Sequence, residues 1–134
     1  MLKTQKNEDI NKKVFYTENL IWELKTYQNK HDRYSELKAI EYCENLELDN
    51  KDNWRIPSAS EYKTILSRKP YKGFVIDGIG EYYMNPKDFK NMTPTSYWTI
   101  LKDGSTGYQS ISWNKVHKKR ENTKYNTRCV HTKI

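Results

Sequence analysis

The sequence predicts a single α+β domain, with two helices in its first half and an antiparallel sheet after them. Apolar residues recur every three positions between residues 34 and 46, as in an amphipathic helix. Ser58 and Glu61 have the spacing of a helix capping box, and an Asp-Gly turn at residues 103–104 separates two runs typical of a β-hairpin. Helical segments followed by a series of strands are the order expected of an α+β domain.

The composition indicates a folded, basic domain with a small core. The 134 residues suit one domain, and 35% of them are hydrophobic. Eleven Tyr, four Trp and three Phe argue against disorder, because aromatic side chains bury large areas. The net charge of +7 allows attraction to nucleic acid, anionic lipid or sulfated polysaccharide. Translation of an AT-rich genome would enrich lysine equally, so both explanations stay open.

The first residues predict a flexible arm, at 1–13, ahead of a domain at 14–134. The arm is charged and has no apolar run, so it does not resemble a signal peptide, and no segment is apolar enough to span a membrane. Two localisations follow: cytoplasmic if Met1 is the native start, or extracytoplasmic if a signal has been removed. Cys43 and Cys129 could both be free thiols on this count alone.

Two strands and a helix are predicted next. Residues 14–24 form two short strands around a polar turn at 17–19, with Trp22 facing the core. Ser35 caps a helix that runs to about Leu46. Its apolar stripe consists of Tyr34, Leu37, Ile40, Cys43 and Leu46.

The segment "NWRIPSASEY", residues 53–62, predicts the entry to a second helix. Pro57 disfavours helix at the residue before it, and the Ser58–Glu61 capping box starts a helix that runs to about residue 68. This helix is expected to bury Tyr62, Ile65 and Leu66.

Arg55 is the residue of this segment that needs its own explanation. It lies between Trp54 and Ile56, which alternate toward the core. A buried unpaired charge is very costly. We therefore expect Arg55 to point inward, to bond a carboxylate or backbone carbonyls near the second helix, and to serve structure.

The second half has strand character. A short strand at 74–76 and a glycine turn belong to a long loop at 73–94, and a hairpin spans 96–113. Residues 115–124 are predicted to be a charged loop. In the terminal strand, alternation places Tyr125, Thr127, Cys129 and His131 on one face.

Five short motifs, in order, resemble a known bacterial family. They are Trp22 in its strand, "AIEYC" at 39–43, "NWRIPS" at 53–58, "YW" at 97–98 and "RCV" at 128–130. Together they resemble the C-terminal domain family of the Legionella collagen-like adhesin over residues 14–131. Asn53 and Ser58 replace the Asp and Thr that are usual in the family.

The resemblance implies a fold and a role. The family is similar in outline to the formylglycine-generating enzyme group and to the C-type-lectin fold, in which two helices pack on a twisted antiparallel sheet with the termini close together. In that fold a disulfide joins the first helix to the last strand, which implies a Cys43–Cys129 bond; two free buried thiols are the alternative. The implied role is an extracytoplasmic adhesion module, with a homotrimer and a host or partner protein as further expectations.

Other chemistries lack their motifs. The histidines His31, His117 and His131 show no metal-ligand spacing with acids, and Trp113-Asn114-Lys115 puts a lysine where calcium-dependent lectins need an acid. Neither cysteine has the setting of a reactive thiol. We expect no enzyme activity, no metal and no cofactor, and the absence of a DNA- or RNA-binding motif argues against nucleic acid.

A basic cluster is the candidate ligand site. It comprises Lys115, His117, Lys118, Lys119, Arg120 and Lys124. Such a cluster attracts polyanions and releases counterions on binding, and Tyr108 and Trp113 could stack on a sugar ring. The resemblance implies a sulfated polysaccharide or cell-surface glycan as the ligand. A solvated loop that only keeps the strands soluble is the alternative, as is an assembly domain that contacts other proteins.

Overall fold

The computed structural model describes residues 13–133, apart from the side chains of residues 73 and 74. The predicted arm at 1–13 lies outside this part, except for Lys13. The described chain contains two helices, α1 (Glu36–Asn45) and α2 (Ala59–Lys63). Its strands are β1 (Val14–Tyr16), β2 (Leu20–Glu23), β3 (Arg33–Tyr34), β4 (Leu66–Ile76), β5 (Ile79–Met84), β6 (Ser96–Ile100), β7 (Thr106–Ser110), β8 (Lys115–Lys118), β9 (Tyr125–Asn126) and β10 (Val130–Thr132).

The α+β class is confirmed, but the prediction of one antiparallel sheet is wrong. The strands form three sheets, ordered β1-β2-β10, β3-β9-β6-β7-β8 and β4-β5. Among these named strands all pairings are antiparallel except β6 with β9, which run parallel through Tyr97 and Asn126. Hydrophobic alternation identifies strands but not their partners, which is why the sequence did not reveal this division.

Strand β2 brings the two ends of the described chain together. It pairs with β1 on one side and β10 on the other, so Phe15 and Val130 both face Trp22 across the ladders. Trp22 is fully buried, as predicted. The first and last strands therefore stabilise each other through one central strand.

Helix α1 begins and ends as predicted, but its buried face is different. Ser35 is the N-cap and accepts from Lys38 N, and Leu46 is the C-cap. Leu37, expected in the stripe, is 66% exposed, whereas Ala39 and Cys43 are buried. A spacing of three drifts by about 60° per step around a helix of 3.6 residues per turn, so Leu37 lies well away from Cys43.

Helix α2 starts as predicted and ends early. Both hydrogen bonds of the Ser58–Glu61 capping box are present, but the helix stops at Lys63 rather than near residue 68. Leu66 opens β4 and pairs with Met84, so it belongs to a strand. The predicted loop at 73–94 is likewise wrong in part, because β4 and β5 form a hairpin across it.

The hairpin turn has a clear local cause. Asp77 and Gly78 have φ angles of 49° and 80°. Two consecutive left-handed residues are the requirement of a type I′ turn, which Asp-Gly satisfies best. The glycine turn seen in the sequence is therefore the tip of a long β4–β5 arm.

Two buried clusters share the interior. The first contains Leu20, Trp22, Leu24, Tyr62, Tyr82, Met84, Phe89, Met92, Tyr97, Ile111 and Val130. The second contains Val14, Ile21, Ala39, Cys43, Trp54, Ile56, Trp98, Tyr125 and Cys129. Aromatic rings supply much of both clusters, so the core fits a chain of modest hydrophobic content.

A buried ionic network connects β2 with α1 and the segment before β10. The Glu23 carboxylate pairs with Lys25 at 3.0 Å and accepts from Cys129 N at 2.9 Å and from the Tyr42 hydroxyl. Glu23 and Lys25 are 2% and 4% exposed. Arg128, which is fully buried, donates to the backbone oxygen of Glu23.

Candidate ligand-binding surface

The basic cluster lies on and after an edge strand. Residues 115–118 were predicted as loop, but they form β8, which pairs with β7 at the end of the five-stranded sheet. Val116, half-buried between exposed neighbours, supplies the alternation that the flanking charges concealed. Lysines on an edge strand also discourage pairing with another chain, so their presence has a structural explanation as well as a functional one.

All six members of the basic cluster are exposed. Lys115 and His117 share one face of β8, because alternate residues of a strand point the same way. Lys119 and Arg120 follow the strand, and Lys124 lies just before β9. The cluster therefore spans the length of the edge and the turn beyond it.

The two aromatic residues assigned to the cluster differ in accessibility. The Tyr108 ring stacks on Tyr125 at 4.6 Å between centroids and contacts the His117 ring at 5.2 Å. Tyr125 in turn meets Trp98 edge-on at 4.8 Å. Tyr108 is thus held in an aromatic row, whereas Trp113, 72% exposed, offers an open ring.

Acidic groups lie within the basic surface. Glu36 pairs with Lys119 at 2.6 Å and also accepts from the Thr106 hydroxyl. These hydrogen bonds, from Lys119 first and Thr106 second, lower the pKa of Glu36. Hydrogen bonds from Ser105 lower the pKa of Asp103, and the charge of Lys118 adds to this. The surface is therefore mixed in sign rather than purely cationic.

A cavity of about 570 Å³ opens between the start of α1 and the turn after β8. Leu37 provides exposed apolar surface, Lys119, Arg120 and Lys124 provide positive charge, and Glu36 and Glu121 provide negative charge. The cavity therefore combines a small apolar area with charges of both signs.

Arg55 has the predicted partner but not the predicted direction. Its Nη1 and Nη2 donate to the two carboxylate oxygens of Glu61, both at 2.7 Å, and Nη2 also donates to Thr132 Oγ1 at 3.2 Å. The Arg55 side chain is 44% exposed, so the expectation that it points inward is wrong. Alternation along an extended segment explains this: Trp54 and Ile56 are buried, so the residue between them faces outward.

A second cavity, of about 720 Å³, lies beside the same segment. Ile40, Trp54, Ile56 and Ile100 supply its apolar surface. Pro57, buried, leads from this cavity into α2. The "NWRIPS" motif therefore forms one wall of a groove as well as the entry to a helix.

The disulfide implied by the resemblance is present. Cys43 on α1 is bonded to Cys129, with Cα atoms 5.6 Å apart, and both residues are fully buried. The bond fixes α1 against the segment that leads into β10. The alternative of two free thiols is contradicted.

The family model described as the Lcl C-terminal domain matches residues 16–131. The chain belongs to the Lcl C-terminal domain family. A search of curated proteins found no match, and a search of solved structures found none either. In the structure of this Lcl C-terminal domain, the motifs that indicated the family supply both cysteines of the disulfide, the N-cap of α2 and three buried tryptophans.

In the part of this Lcl C-terminal domain that the structure describes, no group of His, Cys, Asp and Glu could hold a metal ion. Between residues 13 and 133, no helix has the length and apolar character needed to cross a membrane.

Sequence reasoning missed the buried charges of this Lcl C-terminal domain. Nothing in the sequence singles out Glu23, Lys25 and Arg128 as core residues, yet each is almost fully buried. The one local signal was Arg128 beside Cys129 in the "RCV" motif. Its burial depends on the packing of distant segments, so the sequence did not identify it.

Proposed function

We propose that this Lcl C-terminal domain is an extracytoplasmic binding or adhesion module for a polyanionic glycan, such as a sulfated polysaccharide. Membership of the family, which resembles the domain of a collagen-like adhesin, supports an adhesive role. The exposed basic edge of β8, continuing through Lys119 and Arg120 to Lys124, is the observation that carries the choice of ligand. Its cations have the charge that sulfate groups require.

The cavity beyond β8 gives this basic surface a concave place in which a ligand could sit. A polysaccharide could place one sugar unit against Leu37 while its sulfates contact Lys119, Arg120 and Lys124. Trp113, at the other end of β8, would stack on a second unit, because an exposed indole binds sugar faces well. The proposed ligand is therefore an extended chain rather than a free ion.

The disulfide supports the proposed localisation. Stable structural disulfides form in oxidising compartments and are rare in reducing ones. The Cys43–Cys129 bond is buried and joins distant parts of the chain, which is typical of a structural disulfide. We propose no enzymatic activity, no cofactor and no nucleic-acid ligand for the domain.

We further propose a C-type-lectin-like arrangement. The pairing of β1 and β10 on either side of β2, and a disulfide from the first helix to the last strands, support it. A homotrimer and a host or partner protein follow from the family resemblance alone and belong to the same proposal.

Binding to immobilised heparin and to an uncharged glycan, each at two salt concentrations, tests the proposed ligand. We expect heparin binding that weakens with salt and little binding to the uncharged glycan. Replacing Lys118, Lys119 and Arg120 together by serine should weaken heparin binding and flatten its salt dependence. In nucleic-acid systems each lost contact reduces the slope of log K against log salt by roughly 0.7–0.9.

A matched control separates the cluster from net charge. Serine at Lys69, Lys87 and Lys90 removes the same charge from exposed positions on β4 and between β5 and β6. This variant should retain most heparin affinity. Equal losses in the two variants would show that only net charge matters, and unchanged binding in the first would remove the proposed site.

Exposed apolar residues favour a second candidate, an assembly domain. Tyr27, Val75 and Trp113 are 74%, 70% and 72% exposed. Large exposed apolar groups are frequent at protein–protein interfaces. A stable oligomer in light scattering, together with no heparin binding at low salt, would favour this candidate over a glycan-binding module.

A further inference from the structure

Several buried polar atoms of the core have no hydrogen-bond partner in the part of the chain that the structure describes. Three N–H groups have no hydrogen-bond partner among residues 13–133: Arg128 Nε, Arg128 Nη2 and Trp22 Nε1. The Tyr62 hydroxyl is likewise buried without a partner in this part of the chain. Arg128, Trp22 and Tyr62 are each completely buried. Buried N–H groups that bond nothing are rare and costly, so this group requires an acceptor.

Ring contacts place these residues together. Trp22 contacts Tyr62 at 5.4 Å between centroids and Phe89 at 6.3 Å. The Arg128 guanidinium lies over Phe89 at 5.1 Å and Tyr97 at 5.5 Å. Burial raises the pKa of Tyr62 and the charge of Arg128 opposes that rise, which also places the two groups near one another. Trp22, Tyr62 and Arg128 therefore surround one part of the core.

The charge of Arg128 also indicates that this part of the core needs an acceptor. Arginine stays protonated at every pH a protein tolerates, so Arg128 carries a full positive charge in the core. It forms no ion pair with any carboxylate that the structure describes. Glu23, the buried carboxylate nearby, already binds Lys25, Tyr42 and Cys129 N. Lys25 and Arg128 are thus two buried cations near one buried carboxylate, and that carboxylate pairs with Lys25 alone.

We propose that Arg128, Tyr62 and Trp22 form an internal site for a small hydrogen-bond acceptor, a halide ion or a water molecule. Arg128 Nη2 and Nε, Trp22 Nε1 and the Tyr62 O–H would donate to it. A halide can accept from all four donors and would also balance the second cation, whereas one water oxygen accepts from two of them at most and carries no charge. Phe89 and Tyr97 lie against the guanidinium and shield it from solvent. Thr127 Oγ1, also unpartnered, is not included, because no ring contact places it beside Trp22 or Tyr62.

A structure determined from crystals grown in sodium bromide tests the site directly. We expect electron density within hydrogen-bond distance of Arg128 Nη2. An anomalous signal at the bromine edge identifies a halide, and density without that signal identifies water; either result supports the site. No density, or a protein acceptor that occupies Nη2 and Nε, would overturn the proposal.

Thermal unfolding provides a second test that does not depend on crystals. Tyr62→Phe removes only the hydroxyl, so it should lower Tm by roughly 2–6 °C if that hydroxyl donates to a bound acceptor. Tyr97→Phe removes a hydroxyl that is hydrogen-bonded to Thr93, so its fall in Tm gives the scale for losing a known hydrogen bond. Tyr27→Phe, at the surface, should leave Tm unchanged. An unchanged or higher Tm for Tyr62→Phe would contradict the proposal, because removing an unpartnered buried hydroxyl is neutral or stabilising.

Halide selectivity then separates the two acceptors in solution. If a halide occupies the site, Tm in sodium chloride should exceed Tm in sodium gluconate at equal ionic strength, and Tyr62→Phe should reduce this difference. If water occupies the site, the two salts give equal Tm values while Tyr62→Phe still lowers both. Equal Tm values in both salts together with a neutral Tyr62→Phe would exclude the site.

Discussion

Glu36 Oε1 and Lys119 Nζ are 2.6 Å apart and join the first turn of α1 to the end of β8. The Thr106 hydroxyl holds the other oxygen of the same carboxylate. Glu36 therefore forms an ion pair with a lysine that a sulfate group of the proposed ligand would contact. A bound polyanion would have to share Lys119 with this carboxylate or displace it.

Replacing Glu36 with Gln should raise affinity for heparin. The change removes a negative charge and releases Lys119, so we expect roughly one more released counterion in the salt dependence and a severalfold gain in affinity at low salt. Glu41→Gln, on the exposed side of the same helix, removes the same charge without releasing a lysine. Equal gains in both variants would mean that Lys119 is not a ligand contact.

Features with a local cause could be predicted from the sequence. Ser35 and the Ser58–Glu61 box mark helix starts because a side chain bonds backbone groups only a few residues away. The hairpin between β6 and β7 followed from an Asp-Gly turn between alternating runs. These patterns depend on neighbours in the chain, which the sequence shows directly.

Features with distant causes could not be predicted in this way. Leu66 continued a helical pattern, but Met84 pairs with it in a hairpin. Val116 lies among charges, and its strand exists because β7 offers an edge. Arg128 is buried by Phe89 and Tyr97, which are far from it in the chain. In each case a partner distant in sequence decides the structure.

The cysteine pair and the candidate site illustrate the same division. The residues alone left two free thiols open, and the family resemblance supplied the pairing that the structure contains. The basic cluster was visible as a charge run, but its acidic neighbour Glu36 lies 83 positions from Lys119. The sequence could therefore indicate where the cations are, but not which of them form ion pairs with acidic side chains.

The buried network makes a strong prediction about Glu23. Glu23→Gln leaves Lys25 and Arg128 without a buried counter-charge, so we expect a loss of roughly 3 kcal/mol in the free energy of unfolding. Lys25→Met should cost clearly less, because Glu23 keeps the Cys129 N–H and the Tyr42 hydroxyl as donors. Urea denaturation measures both, with Glu18→Gln at the surface as the control. A larger loss for Lys25→Met than for Glu23→Gln would contradict this interpretation.

The Arg55–Glu61 pair predicts a pH dependence. Burial raises the pKa of the Glu61 carboxyl, but hydrogen bonds from Arg55 and Ser58 outweigh it, so the pKa is lowered. A lowered carboxyl pKa stabilises the fold above the unfolded value of about 4.3, and this stabilisation is lost as the pH falls through the folded value. Arg55→Met should therefore cost most near pH 7, roughly 1 kcal/mol for a partly exposed pair, and little near pH 3.

Urea denaturation of the wild type and Arg55→Met at pH 7, 5 and 3 measures this difference. Other titrating groups affect both proteins equally and cancel in the comparison. Lys63→Met, on the same helix, serves as the control and should show a small effect at every pH. A difference for Arg55→Met that is constant from pH 7 to pH 3 would mean that the ion pair does not contribute.

The Cys43–Cys129 bond should be the largest single contribution to stability among these predictions. It links residues 86 positions apart, and the chain-entropy model gives about 4.6 kcal/mol for a loop of that length. Domains are stable by only about 5–15 kcal/mol, so the loss is a large fraction of the total. We expect a double Cys43→Ala and Cys129→Ala variant to unfold roughly 10 °C or more below the oxidised wild type.

Thermal unfolding of oxidised wild type, reduced wild type and the double alanine variant checks this expectation. Alanine at both positions removes the bond without leaving a free thiol, and comparison with the reduced protein separates the bond from lost packing. The reduced protein should resemble the double variant, because both lack the restriction that the bond places on the unfolded chain. A reduced protein as stable as the oxidised one would show that packing in the second buried cluster holds α1 in place without the bond.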